Sequence, residues 1–193
     1  MTLSTLRHAN LREARLQEAR LNASLSRANL KRADLQRAYL RNATLHNANL
    51  SDANLTNATL GFANFLRANL DDARLVGADL SNAKLLGATL RGADLTRARL
   101  VKVKLEVRHF DRLDIQMAEE DRDRLDMTGA DLARTNLEDA DLSDAILTNV
   151  DLLEARINDR QLASCTSLEG AIMPNGHKYE EWIKSRGEEN SGS

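Results

Sequence analysis

The side chains best suited to chemistry are few and scattered. The four histidines are His8, His46, His109 and His177, and Cys165 is the single cysteine. None pairs with another at a metal-ligand spacing, as a zinc site would require. Asp121 and Asp123 alternate like the start of a calcium loop. Such a loop needs glycine at its sixth position and a closing glutamate, and Leu132 stands where that glutamate belongs. Serine, histidine and aspartate are all present, but nothing resembles a nucleophile elbow or a Gly-rich phosphate loop. The adjacent carboxylates Asp71-Asp72 and Glu119-Glu120 read as solvated pairs. The expectation is therefore no enzyme, no catalytic residue, no metal and no cofactor.

What remains is surface. Leu66 and Leu86 each follow a core position and would stack on one face. Phe62, Val76 and Val101 also fall at outward sites. Scattered apolar residues on a surface are ordinary. A contiguous patch would mark an association surface. The run Glu119, Glu120, Asp121, Asp123 reads as an acidic loop, either a tolerated insertion or a functional one, since loops on rigid scaffolds often carry function. Trp182, the only tryptophan, completes the candidate interaction residues.

The element that positions them is a repeat. From 25 to 105 every fifth residue is Leu, except Phe65, over 17 sites. Two residues before each, Ala occupies all 16 sites from Ala23 to Ala98. The residue between is usually Asn, Asp or Thr. An α-helix cannot use this period. Five residues advance it by about 500°, a net turn of about 140°, so the leucines would circle the cylinder. No stripe or coiled-coil seam forms. In a short extended piece, however, Ala and Leu point the same way. The two linking residues must then turn the chain. Repeated with one hand, this makes a coil with Leu at its centre and Ala beside it, where a larger side chain would overfill the lumen.

The tandem A-[D/N]-L-x-x resembles the pentapeptide-repeat family. The resemblance covers roughly residues 4–173. It implies an all-β solenoid, a right-handed quadrilateral β-helix with four repeats per coil. Under that register Asn29, Asn49 and Asn69 are expected to form an amide ladder bonded coil to coil. Residues 1–176 form the β-helix, with a register break and acidic loop at about 106–126. The ending Ala171-Ile172-Met173-Pro174-Asn175-Gly176 and the following Tyr179-Glu180-Glu181-Trp182 resemble cyanobacterial members. A short C-terminal capping α-helix is expected at 177–187, with Tyr179, Trp182 and Ile183 on one face and a disordered tail at 188–193.

Three register breaks stand out. Leu21 is followed by Leu25, so one residue is missing near Asn22-Ala23. Residues 7–21 form either an irregular first coil, the preferred reading, or a capping helix. After Leu105, Phe110 and Ile115 continue the repeat although Arg108 takes the Ala place, and 116–124 is read as the interruption. The repeat resumes at Leu125-Asp126-Met127 and runs through Ile157 and Leu162. Leu168 then comes after one extra residue.

Charge is uneven. Residues 1–100 hold 15 Lys and Arg against 8 Asp and Glu, a net +7, and the remainder holds 12 against 21, a net −9. The leading expectation is a non-catalytic protein-interaction scaffold with an unidentified protein partner. Self-association of the basic and acidic halves into a homo-oligomer is a further expectation. As an alternative, the resemblance implies a DNA mimic that binds and inhibits DNA gyrase, with Asp126, Asp131, Glu138, Asp139, Asp141, Asp144 and Asp151 supplying negative charge. Direct nucleic-acid binding through Arg7, Arg12, Arg15, Arg20, Arg27, Lys31, Arg32, Arg37 and Arg41 is disfavoured, because aromatics for stacking are scarce. No segment has the length and hydropathy of a membrane span. The lone cysteine fits a reducing, cytoplasmic setting.

Overall fold

The computed structural model describes residues 5–104 and 124–190. The chain winds as a rod whose successive coils pair through single parallel bridges 20 residues apart. Four columns of bridges run along it. One passes through Ser24, Thr44, Asn64 and Lys84, the next through Asn29, Asn49, Asn69 and Thr89. A third holds Asp34, Asn54, Arg74 and Asp94, and a fourth Tyr39, Thr59, Asp79 and Arg99. Each bridge falls on the residue between Ala and Leu.

The unit around Leu50 shows why five residues suffice. The Asn49 N–H donates to Ala28 O of the coil before (3.0 Å), and the Leu50 N–H to Asn69 O of the coil after (2.7 Å). The Asp52 N–H donates onward to Asp71 O (2.9 Å), and the Ala53 N–H closes a turn onto Leu50 O (3.0 Å). Four of five N–H groups are thus paired through the backbone. The fifth, on Ser51, donates to Asn49 Oδ1 at 3.0 Å. A buried backbone donor needs a partner, and the Asn or Asp at the middle position supplies it. This corrects the expected amide ladder. Asn29, Asn49 and Asn69 each accept from the N–H two residues on, those of Lys31, Ser51 and Asp71. Their oxygens are spent on the local turn.

The corner itself is made without the usual glycine. Asp52 has φ 59°, and the same position is left-handed in Arg32, Asn42, Arg67 and Asp72. A hydrogen-bonded four-residue turn with positive φ at its third residue is a type II turn, which normally asks for Gly or Asn. Here the coils on either side hold the backbone in that conformation. Gly77 shows the constraint from the other direction. It sits at the same corner with φ 65°, and a Cβ there would stand 2.5 Å from Asn57 Oδ1.

Leu and Ala fill the interior. From Leu25 to Leu100 the fifth-position residues, Phe65 included, are 0% exposed, and the Ala companions from Ala28 on no more than 1%. Thr135 holds one Ala position at 0% exposure and satisfies its hydroxyl by donating to Leu95 O at 2.9 Å.

The breaks have structural answers. Thr5 bridges Ser24, so the first coil is one residue short; residues 5–21 are a coil, not a helix. Thr89 bridges Asp126, where regular register would bring residue 109, a shift of 17 residues. Leu125, fully buried, fills the Ala site that would have fallen to Arg108. Met127 and Leu132 fill the core sites expected for Phe110 and Ile115. Arg108 and the interruption expected at 116–124, up to residue 123, lie outside the described residues. Phe110 and Ile115 lie outside the described residues. Ile146 bridges Ser167, confirming one extra residue in the last coil.

That extra residue accompanies a short helix the repeat pattern hides, α1 (Asp159–Ser164). Asn158 and Gln161 form a capping box at its start. Beyond the turn at Pro174-Asn175-Gly176, Lys178 bridges Ile172 antiparallel, and α2 (Tyr179–Asn190) follows. Tyr179 and Trp182 stack with ring centroids 6.3 Å apart and pack against the core. Ile183, expected on that face, is 46% exposed. It lies about 100° around the helix from Trp182. Residues 188–190 are helical, and 191–193 lie outside the described residues.

Candidate interaction surface

Outward side chains of this rod stand in columns set by the 20-residue step. Leu66 and Leu86 share one column with His46, as the bonds from Asn47 N–H to Leu66 O and Arg67 N–H to Leu86 O require. Both leucines are half-buried, and Leu86 packs against the core. Val76 lies in the column after Thr56 on another face. Phe62 and Val101 lie on the face of Tyr39 and Thr59. The five apolar residues therefore do not form one patch. Trp182 is half-buried on α2. Glu119, Glu120, Asp121 and Asp123 lie outside the described residues.

Charge is also sorted by column. Asp94, Asp131 and Asp151 bridge one another in series, making a carboxylate row on one face. On the neighbouring face Asp126 is the first bridged residue after the shift in register. Its Oδ2 takes a hydrogen bond from Arg91 Nε at 2.6 Å, and its Oδ1 accepts from the Thr128 N–H and hydroxyl. Burial alone would raise the Asp126 pKa. The Thr128 and Arg91 hydrogen bonds and the Arg91 charge outweigh it, and the carboxyl sits below its usual range. A depressed folded pKa stabilises the fold above the unfolded value, and that contribution is lost as pH falls through the folded pKa. In urea titrations between neutral and strongly acidic pH, Asp126→Asn is expected to flatten the acid limb of stability. An identical acid limb in both proteins would show that this carboxylate does not carry it.

Among the described residues the histidines and the cysteine form no site. Among the described residues no group of His, Cys, Asp and Glu is placed to hold a metal ion. Burial pushes the Cys165 thiol up to about 12, and its Sγ donates to Gln161 O at 3.3 Å. Such a thiol is inert rather than nucleophilic. No described helix is long and apolar enough to cross a membrane.

One feature was not visible as a site in the sequence. A cleft of about 400 Å³ is lined by Arg20, Asn22, Tyr39, Arg41, Thr59, Gly61 and Asp79. It opens where the short first coil turns at Asn22 and where Gly61 has no side chain. Tyr39 and Phe62 are 47% and 48% exposed. The Arg20 guanidinium lies 5.7 Å from the Tyr39 ring centroid, and that of Arg41 lies 5.0 Å from the Phe62 centroid. Tyr39 and Thr59 stand at middle positions that in many units carry Asn or Asp, but Ser24, Thr44, Arg74, Lys84, Thr89 and Arg99 depart from that pattern too, so nothing in the sequence singled the cleft out.

A solid-cored rod with single-residue bridges, four to a coil, defines a β-solenoid of pentapeptide units. The pentapeptide repeats model matches eight copies, in residues 23–61, 48–85, 73–106 and 126–159, more than half the chain. The chain belongs to the pentapeptide-repeat family, whose fold is the right-handed quadrilateral β-helix. It is similar to HetL of Nostoc, a protein involved in regulating heterocyst differentiation, at 32% identity over 91% of this chain and 78% of that one (TM-score 0.45). It is similar to Rfr23 of Cyanothece at 42% identity over 47% of this chain and 59% of that one (TM-score 0.41). Likeness also extends to QnrB1, a plasmid-mediated fluoroquinolone resistance protein, at 17% identity over 92% and 90% (TM-score 0.38). Among curated proteins none matches the chain.

Proposed function

We propose that the protein is a non-catalytic scaffold that binds another protein through its columns of outward side chains. The observation that carries this is the 20-residue register itself, which repeats side chains along flat faces over a core closed by Leu and Ala. A filled lumen offers no enclosed pocket for a substrate. The Leu66–Leu86 column and Trp182 are contact candidates in this reading. α2 covers the last coil, whose backbone and core would otherwise face water. The single, half-buried thiol suits a reducing cytoplasmic setting. Immobilised protein, cross-linked in extract of the source cells, is expected to retain a defined partner; retention of nothing above a scrambled-surface control would remove the reading.

A second reading is favoured by the carboxylate row of Asp94, Asp131 and Asp151. At the roughly 4.8 Å spacing of paired strands, such a row approaches the charge spacing along a nucleic-acid strand. A rod so charged would compete for the DNA-binding surface of DNA gyrase. Supercoiling by gyrase is then inhibited by micromolar protein, and undiminished supercoiling rejects this reading.

A further inference from the structure

We propose that the cleft framed by Arg20, Tyr39, Arg41 and Gly61 binds a carboxylate side chain from an extended acidic segment of a protein partner. This rests on the scaffold reading and gives the partner's chemistry.

The argument begins with the backbone. At most outward turns the N–H following the core Leu is taken by the Asn or Asp two residues earlier, as Ser51 N–H is by Asn49 and Ser81 N–H by Asp79. In the cleft that acceptor is missing, as it also is before Val76, Leu86 and Val101, where Arg74, Lys84 and Arg99 hold the middle position; what sets the cleft apart is the pair of arginines beside it. Tyr39 stands before Arg41, and Thr59 before Gly61. Among the described residues the N–H groups of Arg41 and Gly61 meet no acceptor. Gly61 is nevertheless buried. A polar group out of water without a partner is unfavourable, so this place calls for an oxygen from outside.

The side chains ask for the same thing. Among the described residues neither Arg20 nor Arg41 forms an ion pair with a carboxylate, whereas Lys31, Arg32, Arg37, Arg91 and Arg134 all do. Both guanidiniums are instead spread on aromatic rings. That contact fixes the planar fork, so less freedom is lost when it grips a carboxylate. The exposed Tyr39 and Phe62 rings add an apolar surface for the carbon chain of the bound residue. A carboxylate here would take the position that an Asn or Asp oxygen fills at most other turns, and would meet two cations as well.

The occupant is a peptide rather than a nucleic acid. Asp79 also lines the cleft, and its Oδ1 is held by Ser81. A phosphate backbone carries charge at every step and would meet that carboxylate. A peptide needs to place only one acid at the arginines and can set an amide or a cation against Asp79.

The test is fluorescence anisotropy with a labelled peptide of four Glu-Leu units, its Gln-Leu counterpart and an oligothymidylate. The wild-type protein is expected to bind the acidic peptide and not the amide version. Arg20→Gln with Arg41→Gln should weaken binding about tenfold or more, as two lost charge-assisted contacts imply. Thr59→Asn should do the same while keeping the melting temperature, because it installs the residue that caps this N–H in other columns. Lys84→Gln, which removes one charge from a different face, should leave affinity unchanged. Absence of peptide binding, unchanged binding in the two cleft variants, or equal competition by oligothymidylate would each overturn the proposal. In the cross-linking experiment, a partner retained equally by wild type and Thr59→Asn would overturn the cleft while leaving the scaffold reading intact. Retention of no partner by either would remove the scaffold reading itself.

Discussion

Replacing Leu70 with aspartate is expected to cost more than about 4 kcal/mol and to melt the coils around it. Leu70 is 0% exposed, and Leu50 and Leu90 hold the same site in the coils on either side. Truncating a buried Leu to Ala alone costs about 2–5 kcal/mol. Aspartate adds an ionisable group with no partner in a lumen of Leu and Ala, where a charge is far less stable than in water. The carboxyl responds by staying protonated. Its folded pKa lies above the unfolded value of about 3.9, so the loss is smallest in acid and grows as pH rises through that value. Circular dichroism in urea at two pH values reads both effects. Because coils contact only their neighbours, proteolysis should open the rod near residue 70 before its ends. A midpoint close to that of the wild type would mean that the fifth-site side chain does not face inward.

The same period explains which parts of the molecule the sequence discloses. Leu at every fifth place with Ala two before it has one solution, and both the short first coil and the extra residue before Leu168 follow from counting. The turns do not. A type II corner is normally announced by glycine, yet Arg32, Arg67 and Asp52 adopt positive φ because hydrogen bonds to adjacent coils hold them there. The shift in register is concealed because Phe110 and Ile115 look like core residues at correct spacing, while Met127 and Leu132 take those core sites. Arg108 at an Ala site was the better signal, since a lumen position fails on its largest misfit, not on its average hydropathy. The role of Asn and Asp was half legible. Their frequency is plain in the sequence, but the single unpaired N–H they serve appears only once the other four in each unit have been assigned. The cleft at Tyr39 and Thr59 escaped for a different reason. A middle residue other than Asn or Asp is common in this chain, and what marks the cleft is that Arg20 lies over the Tyr39 ring and Arg41 over the Phe62 ring, contacts between residues 19 and 21 places apart that only the wound chain brings together.

The second large effect is expected at Gln161, where the chain leaves its repeat. Leu162 keeps the five-residue spacing and is 4% exposed, which disguises α1 as another unit. The place that Ala would take is Arg160, and Asn158 with Gln161 supplies a helix start in its stead. Gln161 is 8% exposed. Its Nε2 donates to Leu137 O at 2.7 Å and Ala140 O at 2.9 Å, and its Oε1 accepts from the Asn158 N–H at 3.0 Å. The side chain thus ties the helix to the coil beneath. Leucine would fill the volume and lose all three bonds. Leu137 O would retain the Ala140 N–H at 3.0 Å, but Ala140 O would be left with no donor among the described residues. One orphaned carbonyl, two lost bonds and half a capping box make about 3 kcal/mol for Gln161→Leu. Asn158→Ala breaks only the cap and should cost about 1 kcal/mol, so the difference isolates the grip on the coil. Urea unfolding measures both, and proteolysis should fall first at residues 159–164. Equal losses for the two variants would assign the effect to the helix start, and an unchanged midpoint for Gln161→Leu would show that the two carbonyls are satisfied without it.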